Sequence, residues 1–132
     1  VLAYVAGVTN TFLFDFLIRP FVDKHVKGYV LERVPIPRFS EASQWQDDVA
    51  RIAFELARRV PVDGWTEEAL AMSAKIDRVV CEALELSRDE VDFVFNTFTS
   101  VERQQRASYG SYVSKDMVLG SNQSPSLPVG VT

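Results

Sequence analysis

Few residues of this chain have the types and spacing that enzyme chemistry requires. Two adjacent acidic pairs are present, Asp47-Asp48 and Glu67-Glu68, but neighbouring side chains on a helix point about 100° apart and cannot share a substrate. Such pairs are typical of the first turn of a helix, where the helix dipole favours acidic groups. The sequence also has no glycine-rich phosphate loop, nucleophile elbow or H-E-x-x-H motif. These patterns predict no catalytic residues in this chain.

The single cysteine and the single histidine argue against nucleophilic, metal-binding and disulfide sites. Cys81 lies in an apolar stretch, which favours an inert core residue over a nucleophile. His25 has no second histidine to share a metal ion, so a solvent-facing or phosphate-facing role is favoured over a metal site. One cysteine excludes an internal disulfide, and a reducing, cytoplasmic location is expected.

The charge is distributed unevenly along the 132 residues. The net charge is −4, from 14 basic and 18 acidic residues, so the chain as a whole lacks the basic character of a self-sufficient nucleic-acid binder. Residues 1–39 nevertheless carry +2, residues 40–99 carry −7 and residues 100–132 carry +1. The first third is therefore the part suited to face a polyanion.

The elements of the first third are predicted to be a helix followed by an extended segment. Apolar residues at helical spacing predict one largely buried helix over residues 1–19, ending before Pro20. Helical periodicity is lost afterwards, and alternating prolines favour a short extended or strand segment near residues 26–39. Residues 1–14 carry no charge, but Asp15 ends this run too early for a membrane span. No membrane association is expected.

The middle of the chain is predicted to be helical. A second helix is capped by Ser40 or Ser43 and stops before Pro61. A third helix runs from Thr66 to about Leu84. Both carry an apolar stripe at helical spacing, as helices that pack against a core do.

The segment from Ser87 onwards begins with a motif that is typical of the start of a helix. Ser87 and Glu90 have the spacing of a capping box, which predicts a fourth helix. A further element over residues 101–119 is broken by Gly110, and residues 120–132 are predicted to be a disordered tail because they are rich in Gly, Ser and Pro. The expected fold is mainly α, a bundle of about four to five helices, with a helical unit over residues 40–119.

Three segments carry a resemblance to a known family. Residues 10–37 contain N-T-F-L-F-D-F-L-I-R and H-V-K-G-Y-V-L-E-R-V-P-I-P, residues 74–98 contain A-K-I-D and L-E-L-S-R-D-E-V-D-F-V-F-N-T-F, and residues 109–115 read Y-G-S-Y-V-S-K. In this order they resemble the C-terminal region of large adenine-specific DNA methyltransferases. These are the enzymes of fused, type IIG-like restriction-modification systems and of BREX and DISARM phage-defence systems.

The resemblance implies a non-catalytic piece of a longer protein, which we call the parent protein. The chain begins at Val1 rather than at methionine, in keeping with that expectation. Residues 1–39 would be the end of the DNA target-recognition region and residues 40–119 its helical support. S-adenosylmethionine would be bound by the parent protein and not by this chain. Candidate contacts to the DNA backbone are Arg19, Lys24, His25, Lys27, Arg33 and Arg38; the alternative is that they are ordinary surface charges.

A helical protein-interaction module without a DNA role is the second hypothesis. Its apolar stripes would bind the rest of the parent chain or a partner subunit. The candidate interface residues are Trp45, Trp65, Phe93, Phe95 and Phe98, for which core packing is the alternative. DNA binding requires basic side chains on one face, whereas an interaction module requires an exposed apolar patch.

Overall fold

The chain is mainly helical. The computed structural model describes residues 1–19 and 36–120, and within these ranges it contains seven helices and no β-strand. The helices are α1 Leu2–Thr9, α2 Phe12–Ile18, α3 Gln44–Asp63, α4 Glu67–Ala83, α5 Arg88–Asn96, α6 Thr99–Tyr109 and α7 Val113–Gly120. The described ranges have seven helices where four to five were predicted, because two predicted elements are each divided into two helices. One is divided at Thr11 and the other at Gly110. Of the predicted extended or strand segment near residues 26–39, residues 26–35 lie outside the described residues, and residues 36–39 are irregular and form no strand.

The first predicted helix is divided at Asn10 and Thr11. The Thr11 hydroxyl donates to the Val8 carbonyl at 2.7 Å and accepts from the Phe14 N–H at 3.1 Å. Thr11 therefore closes α1 and caps α2 at the same time. The prediction of one continuous helix over residues 1–19 was wrong because short polar side chains compete with the helix for backbone partners.

The second predicted helix extends past Pro61, which was expected to stop it. Pro61 lies in the last turn of α3, and the helix closes with the Gly64 N–H donating to the Val60 carbonyl at 2.8 Å. Gly64 has a φ of 77°, which is unfavourable for other residues. Only one backbone hydrogen bond is lost to proline here, so the helix tolerates it near its end.

The predicted capping box at Ser87 and the predicted break at Gly110 are confirmed. The Thr66 hydroxyl accepts from the Ala69 N–H at the start of α4. Ser87 and Glu90 form the predicted capping box at the start of α5, with both reciprocal hydrogen bonds present. Gly110, in the left-handed conformation, separates α6 from α7. The tail was predicted from residue 120, but Gly120 still belongs to α7, and residues 121–132 lie outside the described residues.

The larger of two apolar clusters in the described part of the chain joins helices from both ends of the sequence. Tyr4 and Val8 of α1 belong to the same buried cluster as Val49 of α3 and Phe95 of α5. Gly7 allows α1 and α3 to approach closely, since a Cβ at this position would lie 2.7 Å from Val49 Cγ1. The described parts of residues 1–39 and 40–119 are therefore packed together.

Candidate functional site

Two of the six predicted DNA-contacting residues belong to the described part of the chain. Arg19 follows the last turn of α2, and Arg38 lies in the irregular segment that leads to α3. Lys24, His25 and Lys27 lie outside the described residues, as does Arg33. The structure therefore shows the surroundings of Arg19 and Arg38 only.

The Arg19 side chain is held over an aromatic ring. Its Cζ atom lies 4.2 Å from the centroid of the Phe98 ring, a cation–π arrangement. Its guanidinium also lies 3.9 Å from an Asp15 carboxylate oxygen, a long contact between two exposed groups. Because 45% of the side chain remains exposed, part of the guanidinium is free to donate to an external acceptor such as a phosphate oxygen.

The backbone around Arg38 is fixed by two buried polar side chains. The Tyr4 hydroxyl donates to the Pro37 carbonyl at 2.7 Å. Gln46 donates to the Arg38 carbonyl at 3.0 Å and accepts from the Ser40 N–H at 2.7 Å. The Arg38 side chain is exposed. A basic side chain is thus presented to solvent from a segment that has little freedom of its own.

A small apolar cluster joins α2 to the segment that contains Arg38. Phe14 and Ile18 of α2 pack against Ile36, and these residues stand shortly before Arg19 and Arg38 in the sequence. Through this cluster, the end of α2 that precedes Arg19 contacts the segment that precedes Arg38. Contacts with DNA phosphates require this kind of rigid positioning but carry no base specificity.

Most other basic side chains in the described ranges are paired with acidic ones. The pairs that involve the longer helices are Arg51 with Asp47 and Asp48, Arg58 with Glu55, Arg59 with Glu55 and Glu68, Arg78 with Glu82, and Arg106 with Glu102. The described ranges hold eleven basic and sixteen acidic residues. Such pairs on exposed helix faces contribute little stability, but they neutralise the basic groups that a DNA surface would need.

Asp77 is a buried acidic residue for which the sequence analysis predicted no structural role. The Asp77 side chain is 2% exposed, and its Oδ1 atom accepts from the Phe12 N–H at 2.8 Å. Burial raises the pKa of Asp77 to about 7, against the opposing effect of hydrogen bonds from the backbone of Phe12 and Leu13. The available signal was an acidic residue within the apolar stripe of α4, between Ile76 and Val80.

The buried role of Gln46 was not predicted either, although this residue too is polar and lies on the apolar face of its helix. It is 3% exposed and lies one turn before Val49 on the buried face of α3. A polar residue on an apolar stripe indicates a buried hydrogen-bonding role. Which groups satisfy that role depends on the distant segment that reaches it.

The one thiol of the chain is buried, and the described residues contain no cluster of metal-ligating groups. Burial, together with the nearby carboxylates of Asp77 and Glu82, raises the pKa of the Cys81 thiol to about 12, so the thiol stays protonated at neutral pH. Within residues 1–19 and 36–120, no three His, Cys, Asp or Glu side chains are grouped to hold a metal ion. No helix in these ranges is long and apolar enough to cross a bilayer.

The five aromatic candidates for an interface divide into buried and exposed residues. Phe95 and Phe98 belong to the core, and Trp45 packs edge-on against the Tyr4 ring with 5.8 Å between centroids. Trp65 is 58% exposed and Phe93 is 64% exposed. Only these two of the candidates are available to a partner.

No protein-family model, curated protein sequence or solved structure matched the chain.

Proposed function

We propose that this chain is a non-catalytic C-terminal piece of an adenine-specific DNA methyltransferase or of a fused restriction-modification enzyme. In this role it supports the DNA target-recognition region and adds contacts to the DNA backbone. The parent protein would bind S-adenosylmethionine and carry out methyl transfer. Enzymes that flip a base must hold the duplex while that base leaves the stack, so they need a recognition part beside the catalytic domain.

The observation that carries this proposal is the contact between the segments of the resemblance. Asp77, in the second segment, accepts a hydrogen bond from the N–H of Phe12, in the first. Tyr112, in the third segment, donates from its hydroxyl to the Phe95 carbonyl in the second, at 2.8 Å. Residues that match a family pattern and also bond to one another are expected if the pattern describes one folded unit. This supports a shared structural role for the three segments.

The charges favour a supporting role over an independent DNA-binding role. The described ranges have an excess of five acidic residues, and most of their arginines are paired with carboxylates on neighbouring turns. Long-range attraction of a polyanion is therefore weak. Arg19 and Arg38, together with Lys24, His25, Lys27 and Arg33, would add local phosphate contacts to a surface provided mainly by the parent protein.

The proposal is tested in two steps on the parent protein. The reading frame upstream of residue 1 should encode an N-P-P-Y motif, the adenine-binding motif of the family. Replacing Arg19, Lys24 and Lys27 by glutamine should then weaken DNA binding equally across sequences. The slope of log K against log salt should fall by about 0.9 for each phosphate that the variant no longer neutralises.

Arg51, Arg58 and Arg106 supply the matched control. Each is paired with a carboxylate on its own helix, so replacing these three by glutamine should leave the salt slope unchanged. An unchanged slope in the Arg19, Lys24 and Lys27 variant would refute the phosphate-contact role. A change of the methylated sequence without a change in affinity would refute it as well.

A helical protein-interaction module is the second candidate function. The exposure of Trp65 and Phe93 favours it, because large aromatic side chains in contact with water are typical of interfaces. In this case the chain would bind the remainder of the parent protein or a partner subunit. Titrating the separately purified remainder with the chain, by calorimetry, should show binding that Trp65→Ser or Phe93→Ser weakens.

A further inference from the structure

An apolar groove lies between α2 and α5. Its volume is about 460 Å³. One wall comes from α2, a second from α5, and the end of the groove from the turn between α4 and α5. The apolar side chains that line it include Leu13, Phe16, Leu17, Leu84, Leu86 and Phe93.

The rim of this groove exposes large apolar side chains to solvent. Phe93 is 64% exposed, and Leu17 and Leu84 are each 42% exposed. The Phe93 ring packs edge-on against the Phe16 ring, with 6.1 Å between centroids. The aromatic side chain is therefore oriented by a neighbour while one side stays in water. A concave apolar surface with an oriented aromatic residue at its edge is typical of a docking site.

Acidic side chains border the same groove. Asp89 and Glu90 contribute to its lining, and the exposed Glu85 stands between Leu84 and Leu86 in the sequence. The Glu90 carboxylate accepts from the Ser87 N–H. Within the described part of the chain, Glu85, Asp89 and Glu90 form no ion pair with a basic side chain. The border of the groove is consequently negative and suited to basic groups.

We infer that this groove binds an amphipathic helix from a partner protein, with apolar side chains in the groove and basic side chains beside Asp89 and Glu90. The inference deepens the second candidate function and rests on it. A helix is favoured because its apolar side chains at i, i+3 and i+4 lie in one row, which suits an apolar groove between two helices. A duplex is disfavoured because its phosphates would face carboxylates.

A pair of synthetic peptides tests the inference with the full 132-residue chain. Both are 14-residue helical peptides with leucines at i, i+3, i+4 and i+7, one flanked by lysines and the other by glutamates. We expect the lysine peptide to bind at least tenfold more tightly in a fluorescence anisotropy titration. The difference should shrink between 50 and 500 mM salt, since exposed charges are then screened.

Variants of the chain locate the binding surface. Phe93→Ser and Asp89→Asn should each lower the affinity for the lysine peptide at least fivefold. Phe54→Ser changes an exposed apolar residue of α3, and Glu67→Gln changes an exposed acidic residue in the first turn of α4. Neither of these controls should alter the affinity. Circular dichroism of all four variants establishes that the helices are retained.

Several outcomes would overturn the inference. One is equal affinity for both peptides, and another is an affinity that Phe93→Ser does not change. Dimerisation that Phe93→Ser abolishes would assign the groove to a second copy of the chain. Peptide binding seen only after residues 20–35 are replaced by a Gly-Ser linker would assign it to the chain itself. If neither peptide binds while the remainder of the parent protein still does, the inference fails and the interaction function stands.

Discussion

The carboxylate of Asp77 accepts a hydrogen bond from the N–H of Phe12, across 65 positions of sequence. This bond joins the middle of α4 to the first residue of α2. The first N–H groups of a helix have no partner within the helix, and Asp77 supplies one from another element. The position of α2, and with it that of Arg19, therefore depends on a buried acidic residue.

Asp77 should make stability depend on pH. Its folded-state pKa is raised by burial to about 7 from 3.8, so between these values the folded chain holds a proton that the unfolded chain has released. Stability should therefore fall as pH rises from about 4 to 7, by up to ~1.4 kcal/mol per unit, and level off above pH 7. Urea unfolding of wild type and Asp77→Asn over pH 4.5–8 isolates this effect.

The asparagine side chain keeps an acceptor for the Phe12 N–H but carries no titrating proton. The stability of Asp77→Asn relative to wild type should consequently rise with pH through this window. Asp116→Asn, in which an exposed carboxylate of α7 is changed, serves as the control and should follow the wild-type curve in parallel. A parallel curve for Asp77→Asn would contradict the prediction.

The capping box at Ser87 should contribute measurably to stability. Its hydroxyl accepts from the Glu90 N–H at 3.1 Å, so Ser87→Ala should destabilise the chain by about 1 kcal/mol. Ser43 is the matched control, because it is the N-cap residue of α3 but makes no side-chain capping bond. Chemical denaturation of the two alanine variants should therefore separate them. Equal losses would show that the cap is not the cause.

Gly7 should not tolerate a larger side chain. A Cβ there would lie 2.7 Å from Val49 Cγ1 and 3.2 Å from Ala53 Cβ. Helix propensity alone favours alanine by about 1 kcal/mol, but overpacking of a fixed core costs about 1–3 kcal/mol. We expect net destabilisation of Gly7→Ala in thermal unfolding.

A double-mutant cycle tests the cause of that destabilisation. Val49→Ala removes the atom that a Cβ at Gly7 would meet, so Gly7→Ala should be less harmful in that background. An identical effect in both backgrounds would mean that the contact with Val49 does not limit the packing of α1 on α3.

The separate 132-residue chain should bind duplex DNA weakly. Its net charge is −4, so we expect a Kd no tighter than about 10⁻⁴ to 10⁻⁶ M, the range of non-specific binders. Fluorescence anisotropy with a labelled duplex at physiological salt measures this directly. A nanomolar Kd would contradict a supporting role and favour an independent DNA-binding domain.

S-adenosylmethionine should not bind to the separate chain. No residues of a cofactor-binding glycine motif occur in its sequence. Calorimetric titration at micromolar protein should therefore show only heats of dilution. A saturable heat would require a cofactor site that the sequence motifs do not indicate.

Local signals predicted most of the helices but not where every helix ends. Thr66, Ser87 and Gly110 mark the ends of helices through bonds within four residues, and such signals can be recognised in sequence. The break at Thr11 and the tolerance of Pro61 were missed. Each depends on which of several local hydrogen-bonding patterns the surrounding core favours.

The sequence by itself determined the helical class, the capping box at Ser87 and the concentration of acidic residues in the middle of the chain, because these depend on neighbouring residues and on composition. Only the tertiary structure decided that Asp77 supports α2, that Gln46 holds the segment of Arg38, and that Phe93 lines an exposed groove while Phe95 is buried. These relationships join residues that are far apart along the chain. Burial and hydrogen-bond partners at such distances follow from how the helices pack, which short-range spacing does not encode.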